Sequence, residues 1–210
     1  LMIDVDVTND DSLDACFATL GQRWGSLDFV IHAIAFSDKN ELTGRFINTT
    51  KGNFLNSLNI SCFSFIDVAR RAEPLMPDGG SLITLTFQGS NRVSPNYNVM
   101  GVAKAALEAS MRYLAADYGP QNIRVNAISP GPVRTLAGAG ITDARFMYSF
   151  QKDHSPLRRP VTHEGIGGTA LYLVSDLSCD TTGEIMFVDS GYNIISMPRP
   201  ENLKLPGGEG

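Results

Sequence analysis

The sequence contains few residues of the kinds that form metal, redox or disulfide sites. There are three cysteines and three histidines among 210 residues. The cysteines are odd in number, far apart and in no Cys-x-x-Cys spacing, and the histidines form no ligand pair. The pattern predicts reduced cysteines that serve as packing residues, and it predicts no metal site. The residues concerned are Cys16, Cys62, Cys179, His32, His154 and His163.

Basic charge and long apolar runs are also scarce. The formal net charge is −5 and the pI is about 5.1, which argues against nucleic acid or an anionic membrane as a main partner, since both bind basic surfaces. No run approaches the roughly 20 apolar residues of a membrane helix. The sequence shows no leader with a cleavage site, and it has no start methionine. We therefore expect a cytoplasmic protein without a membrane span.

Apolar residues make up 43% of the chain and charged residues 19%, enough apolar matter for one globular core. We expect a single domain over residues 1–195. A Gly/Ala-rich excursion at 131–161 interrupts this domain, and a flexible tail rich in proline and glycine follows at 196–210.

Segments typical of strands alternate with segments of helical periodicity. The strand segments are continuous apolar runs rather than apolar/polar alternations, which indicates a parallel sheet covered on both faces. The predicted fold is α/β, doubly wound and Rossmann-like, with ligands beyond the carboxyl ends of the strands. Predicted strands are 1–7, 27–34, 81–87, 123–128 and 184–188, and predicted helices are about 10–25, 51–75, 95–118 and 163–175.

Tyr97 and Lys104 stand near the start of the long helix predicted from Pro95. They are seven residues apart, close to two turns at 3.6 residues per turn, so both side chains can leave one face. A phenol and an ammonium on one face form a candidate acid pair. Taken singly, each has a plainer interpretation as a half-buried helix-start tyrosine or a solvated surface lysine.

A longer motif surrounds this pair, Asn96-Tyr-Asn-Val-Met-Gly-x-Ala-Lys-Ala105, and others accompany it. On the basis of these motifs, the chain resembles the short-chain dehydrogenase/reductase superfamily. Within that superfamily it is similar to the NADH-dependent enoyl-acyl-carrier-protein reductases of type II fatty acid synthesis, and the resemblance extends from Asp4 to about Met197. Ketone- and alcohol-acting members typically have Tyr-x3-Lys, whereas position 101 here is Gly. The accompanying motifs are Asp6-Val7, His32-Ala-Ile-Ala-Phe36, Gly131-Pro-Val-Arg-Thr-Leu136, Pro156-Leu-Arg-Arg159, Thr182-Gly-Glu184 and Val188-Asp-Ser-Gly191.

The resemblance implies reduction of the carbon–carbon double bond of trans-2-enoyl thioesters by hydride from NADH. In it, Tyr97 would donate to the enolate oxygen and Lys104 would hold the nicotinamide ribose. Asp6 and Val7 would contact the adenine. The other cofactor-binding residues that it implies are Ala33, Ile34, Ala35, Gly131, Pro132, Val133 and Thr135.

Substrate contacts are expected from the excursion at 131–161, whose apolar side chains are numerous enough for a lid over an acyl chain. The alternative is a pair of ordinary helices packed on the sheet. Many relatives have a second tyrosine where this chain has Phe87, so Tyr97 would act alone beside an apolar wall. The predicted substrate residues are Phe87, Ala137, Ile141 and Met147.

The resemblance also implies an acyl-carrier-protein-bound substrate and a homotetramer. A carrier protein is usually acidic, so its docking would use basic residues near the excursion, and these are few. They are Arg134, Arg145, Lys152, Arg158 and Arg159.

The family's first strand, its Gly-rich diphosphate turn and its second strand have no counterpart in this sequence. In the order 3-2-1-4-5-6 the strand at 1–7 would then have no neighbour connecting it to the strand at 27–34. We expect a piece of a longer enzyme, and poor folding or weak NADH binding if the protein begins at Leu1. Two alternatives stay open, a carbonyl or alcohol reductase and a noncatalytic binding subunit.

Overall fold

The computed structural model describes residues 1–133 and 144–197. At its centre is a sheet of four parallel strands in the order β1-β2-β3-β4, with Ile31 opposite Ile83 and Leu82 opposite Val125. The central strands are buried almost throughout, which agrees with their continuous apolar sequences. The strands are β1 (Phe29–His32), β2 (Gly80–Leu85), β3 (Ile123–Pro130) and β4 (Ile185–Val188).

Helices cover both faces of the sheet, so the doubly wound α/β prediction is confirmed. Phe65 and Leu107, from two helices, pack with Leu82 and Val125 on one face. Leu173 packs with Ile83 and Ile128 on the other. The helices are α1 (Asp10–Trp24), α2 (Lys51–Leu58), α3 (Ser64–Ala72), α4 (Asn98–Tyr118), α5 (Ala144–His154) and α6 (His163–Val174). Among the residues described, no helix is long and apolar enough to span a bilayer.

Two predictions of secondary structure differ from the structure. The strand predicted at 1–7 is wrong, because this segment has no regular structure and pairs with none of the four strands; a strand needs a neighbour for its backbone groups. The single helix predicted at 51–75 is interrupted by a π-helical segment, Asn59–Phe63, between α2 and α3.

The cysteine prediction is only partly correct. All three cysteines are free, as expected. Cys62 is buried in the core, whereas Cys179 is exposed and does not serve as a packing residue.

Candidate active site

The carboxyl ends of the four parallel strands lie at one edge of the sheet, where a doubly wound fold binds its ligands. The segments 33–38, 86–90 and 131–133 follow β1, β2 and β3 there. Gly131 N donates to Val188 O at 2.9 Å, which ties the segment after β3 to the end of β4.

Tyr97 occupies the N-cap position of α4, immediately before the first helical residue. Its side chain is buried, and its ring lies 5.0 Å from that of Phe87 at an interplanar angle of 60°. The flanking residues Asn96 and Asn98 have φ of 57° and 34°, a left-handed conformation that asparagine tolerates better than most residues. Asn98 Nδ2 donates to Glu41 O at 3.1 Å and so anchors the helix start. Burial raises the pKa of Tyr97, and the nearby Glu108 carboxylate raises it further.

Lys104 lies two turns into α4 and is 5% exposed. Its Nζ donates to Leu85 O, the last carbonyl of β2, at 2.8 Å. Burial lowers the pKa of Lys104 to about 8, because removing the ammonium from water disfavours its charged form. The plainer interpretation of Lys104 as a solvated surface lysine is therefore wrong.

The end of β2 and the turn after it bring the predicted pair together. Lys104 bonds to Leu85, and Tyr97 packs on Phe87, two residues farther along. The structure thus places both side chains of the candidate acid pair beside one short segment, 85–87.

The backbone around Gly101 accounts for the spacing of the pair. A Cβ at Gly101 would lie 2.6 Å from Gly89 O, and a Cβ at Gly89 would lie 2.5 Å from Cδ1 of Tyr97. Both glycines therefore let α4 approach the turn at 88–90. A lysine at 101, as in a Tyr-x3-Lys pattern, would displace this turn and the tyrosine that packs on it.

The predicted cofactor residues are spread along the same edge. Ala33–Ala35 directly follow β1 and are exposed, while Gly131 is buried and Pro132 and Val133 are half-buried. A Cβ at Gly131 would overlap the side-chain amide of Gln151, at 2.3 Å from Nε2. Thr135 lies outside the described residues.

Asp6 and Val7 lie before α1, and their adenine contacts stay a prediction. Asp6 Oδ1 accepts from Thr8 N at 2.9 Å and from Thr8 Oγ1 at 2.7 Å. The Thr8 side chain, with help from its backbone N–H, lowers the pKa of Asp6. The exposed carboxylate thus stabilises the turn into α1, and Val7 is half-buried.

Comparison with known proteins decides the family. The sequence matches the family profile described as enoyl-(acyl carrier protein) reductase over residues 1–193. It is 62% identical over 204 residues to the enoyl-[acyl-carrier-protein] reductase [NADH] 2 of Rhizobium meliloti (strain 1021), covering 97% of this chain and 76% of that protein. The chain belongs to the enoyl-(acyl carrier protein) reductase family.

Solved structures of enoyl-(acyl carrier protein) reductases share the fold. The enzyme of Anaplasma phagocytophilum, solved in complex with NAD, superposes with a TM-score of 0.92 at 56% identity, covering 95% of this chain and 76% of that one. FabI of Candidatus Liberibacter asiaticus also gives a TM-score of 0.92 at 56% identity, covering 94% and 77%. The chain thus spans about three quarters of the relatives that it matches.

The predicted substrate residues of this reductase are only partly described. Phe87 is half-buried against Tyr97. Met147 is half-buried on α5, whereas Ala137 and Ile141 lie outside the described residues. The roles assigned to all four residues stay predictions.

Sequence reasoning missed two polar groups near the reductase's candidate active site. Glu108 is buried one turn beyond Lys104 and accepts from Thr86 Oγ1 at 2.5 Å; its i,i+4 spacing from Lys104 was the available signal. Ser61, in the π-helical segment, bonds both backbone groups of Phe36, each at 3.0 Å. No pattern in the sequence indicates that π-helical turn.

Proposed function

We propose that this protein reduces the carbon–carbon double bond of trans-2-enoyl thioesters with NADH, as an enzyme of fatty acid elongation. The observation that carries the proposal is the placement of Tyr97 and Lys104 beside the end of β2 in a chain of the enoyl-(acyl carrier protein) reductase family. The relative from Rhizobium meliloti is named as an NADH enzyme.

The residues at the candidate site fit a nicotinamide cofactor. Lys104 has three N–H donors, and Leu85 O is the acceptor found for it among the described residues. The remaining donors suit the two hydroxyls of a ribose. Backbone with small, exposed side chains at Ala33 and Ala35 permits close approach of a ligand. When bound, NADH supplies the hydride.

Tyr97 is the proposed donor to the thioester oxygen. Hydride addition to the conjugated double bond leaves negative charge on that oxygen, and a hydrogen-bond donor aimed at it stabilises the transition state. A phenol with a raised pKa stays protonated at neutral pH and can donate. Lys104 orients the cofactor through its ribose, which is a positioning contribution. Phe87 carries no hydroxyl, so Tyr97 acts as the single phenol of this pair.

Oxidation of NADH tests the proposal, with a trans-2-enoyl thioester and a 3-ketoacyl thioester as competing substrates. We expect turnover of the enoyl substrate and a fall in kcat of about 10²–10³-fold in Tyr97→Phe, the usual cost of losing one such donor. Tyr113→Phe is the matched control, because Tyr113 is on the same helix, is 76% exposed and keeps its apolar ring in this variant. Turnover of the ketone alone would overturn the proposal, and full activity in Tyr97→Phe would remove Tyr97 from its role.

We propose further that the substrate arrives on acyl carrier protein. The family supports this, and so do three exposed basic residues after the start of α5, Lys152, Arg158 and Arg159. Arg158 Nη1 donates to Asp153 O at 2.9 Å, so Lys152 and Arg159 are the better candidates for docking. Replacing Lys152 and Arg159 with glutamate reverses their charge. We expect these substitutions to raise KM for the carrier-protein substrate and to leave KM for the coenzyme A thioester unchanged. Equal effects on both substrates would contradict docking at these residues.

A cytoplasmic homotetramer completes the proposal. Apolar side chains are exposed on α2, the π-helical segment and α4, and again on and after α6, which supports two separate contact surfaces. These side chains are Leu55, Phe63, Val102, Tyr113, Leu171 and Leu177.

A further inference from the structure

Glu108 is a buried carboxylate on the same face of α4 as Lys104. It is 8% exposed, and the two residues are four apart, so they are neighbours on one face of the helix. Within the described ranges, the ion pairs closer than 4 Å are made by Arg70 and Arg71, and Glu108 takes part in none of them. A buried carboxylate without a contacting cation is costly, so its place beside the candidate active site requires a physical reason.

The end of β2 and the residue after it hold two charged groups of α4, those of Lys104 and Glu108. Leu85 O accepts from Lys104 Nζ at 2.8 Å, and the next residue, Thr86, donates from Oγ1 to Glu108 Oε1 at 2.5 Å. Thr86 is itself fixed in the sheet by its backbone bond to Ile128 O at 2.9 Å. Leu85, the last residue of β2, and Thr86, the residue after it, thus fix the ammonium and the carboxylate on successive turns of α4.

Glu108 influences both residues of the candidate acid pair. Burial lowers the pKa of Lys104; a thiolate at Cys62 would oppose that effect, and the charge of Glu108 opposes it as well. The Glu108 charge also adds to the rise in the pKa of Tyr97 that burial causes. A negative charge at this position therefore favours the ammonium and the protonated phenol together.

The other titratable groups near Lys104 supply no negative charge at neutral pH. His32, on β1, is neutral because burial, with the Lys104 charge, lowers its pKa to about 4. The Cys62 thiol, in the π-helical segment, has its pKa raised by burial and is protonated. Tyr97 is protonated for the same reason. Among these residues around Lys104, Glu108 is the one with a carboxylic acid side chain.

We propose that Glu108, held by Thr86, is a positioning residue that keeps Lys104 charged. Its significance for catalysis rests on the proposed function, because only an enzyme that uses a ribose-binding ammonium needs that proton retained. Its effect on Lys104 is a property of the folded protein and is measurable without substrate.

Glu108→Gln tests the proposal, because the amide oxygen can still accept from Thr86 while the charge is lost. The measurement is the titration of the Lys104 side chain by NMR of isotopically labelled lysine, with its signal assigned from Lys104→Met. We expect the midpoint to fall by about one unit or more. Glu164→Gln alters an exposed residue on α6 and should leave the midpoint of the Lys104 titration unchanged. An unchanged midpoint in folded Glu108→Gln overturns the proposal.

A second measurement applies if Glu108→Gln does not fold. The side-chain carboxyl carbon of Glu108 in the unaltered protein must then show a carboxylate throughout the pH range in which Lys104 titrates. A protonated acid in that range overturns the proposal.

The kinetic consequence separates this proposal from the proposed function. The alkaline limb of kcat/KM for NADH oxidation should move to lower pH in Glu108→Gln by the same shift as the Lys104 midpoint. Absence of enoyl-thioester turnover in the unaltered protein would overturn the proposed function and leave the titration result standing. If the midpoint of the Lys104 titration shifts but the alkaline limb of kcat/KM does not, Glu108 has no role in catalysis.

Discussion

At the scale of single residues, Lys104 couples the chemistry of the site to the stability of the fold. Its ammonium is buried, and within the part of the chain that the structure describes it has one hydrogen bond, to Leu85 O. In the unfolded chain the same group is solvated and has its ordinary pKa of 10.5, whereas in the folded protein the pKa is about 8. The unfolded state therefore binds more protons between these two values.

The sign of the resulting pH dependence is opposite for stability and for cofactor binding. As pH rises from about 8 to 10.5, the cost of burying the charge disappears, so the contribution of Lys104 to the free energy of unfolding rises, by at most about 3 kcal/mol. NADH affinity should fall over the same range, since the deprotonated amine is a weaker ribose donor.

Urea unfolding of the unaltered protein and of Lys104→Met at pH 7 and pH 9.5 checks the stability prediction. The variant lacks the titrating group, so the unaltered protein should gain stability relative to it at the higher pH. A constant difference between the two proteins would show that Lys104 does not titrate in this range.

At the scale of elements, the contact between α4 and the turn at 88–90 depends on two glycines. Gly101→Ala would place a methyl group 2.6 Å from Gly89 O, so backbone must move. We expect a loss of about 1–3 kcal/mol of stability, as for other overpacked sites, and a lower kcat, because Gly89 contacts the Tyr97 ring.

Gly168→Ala is the matched control for this prediction. Gly168 is also inside a helix, α6, but a Cβ there would meet nothing within 4 Å. Alanine is the better helix former, so this variant should be up to about 1 kcal/mol more stable. Thermal unfolding and kcat of both variants give the comparison. Similar behaviour of the two variants would mean that the contact at Gly101 is not tight in solution.

The elements also show what the sequence could and could not predict. Continuous apolar runs predicted β2 and β3. The two-turn spacing of Tyr97 and Lys104 predicted one helix face for both, but only the structure shows that they lie beside residues 85–87. The interruption at 59–63 could not be predicted, because the side-chain bonds that accompany this π-helical turn join segments far apart in the sequence. Ser64 Oγ donates to Ile60 O at 2.6 Å and therefore accepts from His32 Nε2, at 2.8 Å, across 32 residues of chain. The segment at 1–7 was mispredicted, since an apolar alternation carries no information about whether a partner strand is present.

At the scale of the whole molecule, the exposed apolar side chains set the expected assembly. Leu171 and Leu177 are 67% and 80% exposed near α6, and Tyr113 is 76% exposed on α4. If both surfaces form contacts, the native mass is about four times the chain mass of 22.7 kDa.

Sedimentation of two charge variants checks this assembly. Leu171→Glu and Tyr113→Glu should each reduce the species from four chains to two, because each removes one of two independent contacts. Asp11→Asn, exposed on α1 and outside both surfaces, serves as the unperturbed control. A single-chain species for the unaltered protein would contradict the tetramer.

The outer edge of β1 has a practical consequence for work with this chain. β1 pairs on one side with β2, and among the described residues no strand pairs on its other side. Phe29 and Ile31 on this strand are 47% and 44% exposed. Unpaired backbone groups beside apolar side chains are a template on which another chain can add a strand. Aggregation should therefore increase steeply with protein concentration. Ile31→Lys should raise the concentration at which the purified chain begins to scatter light.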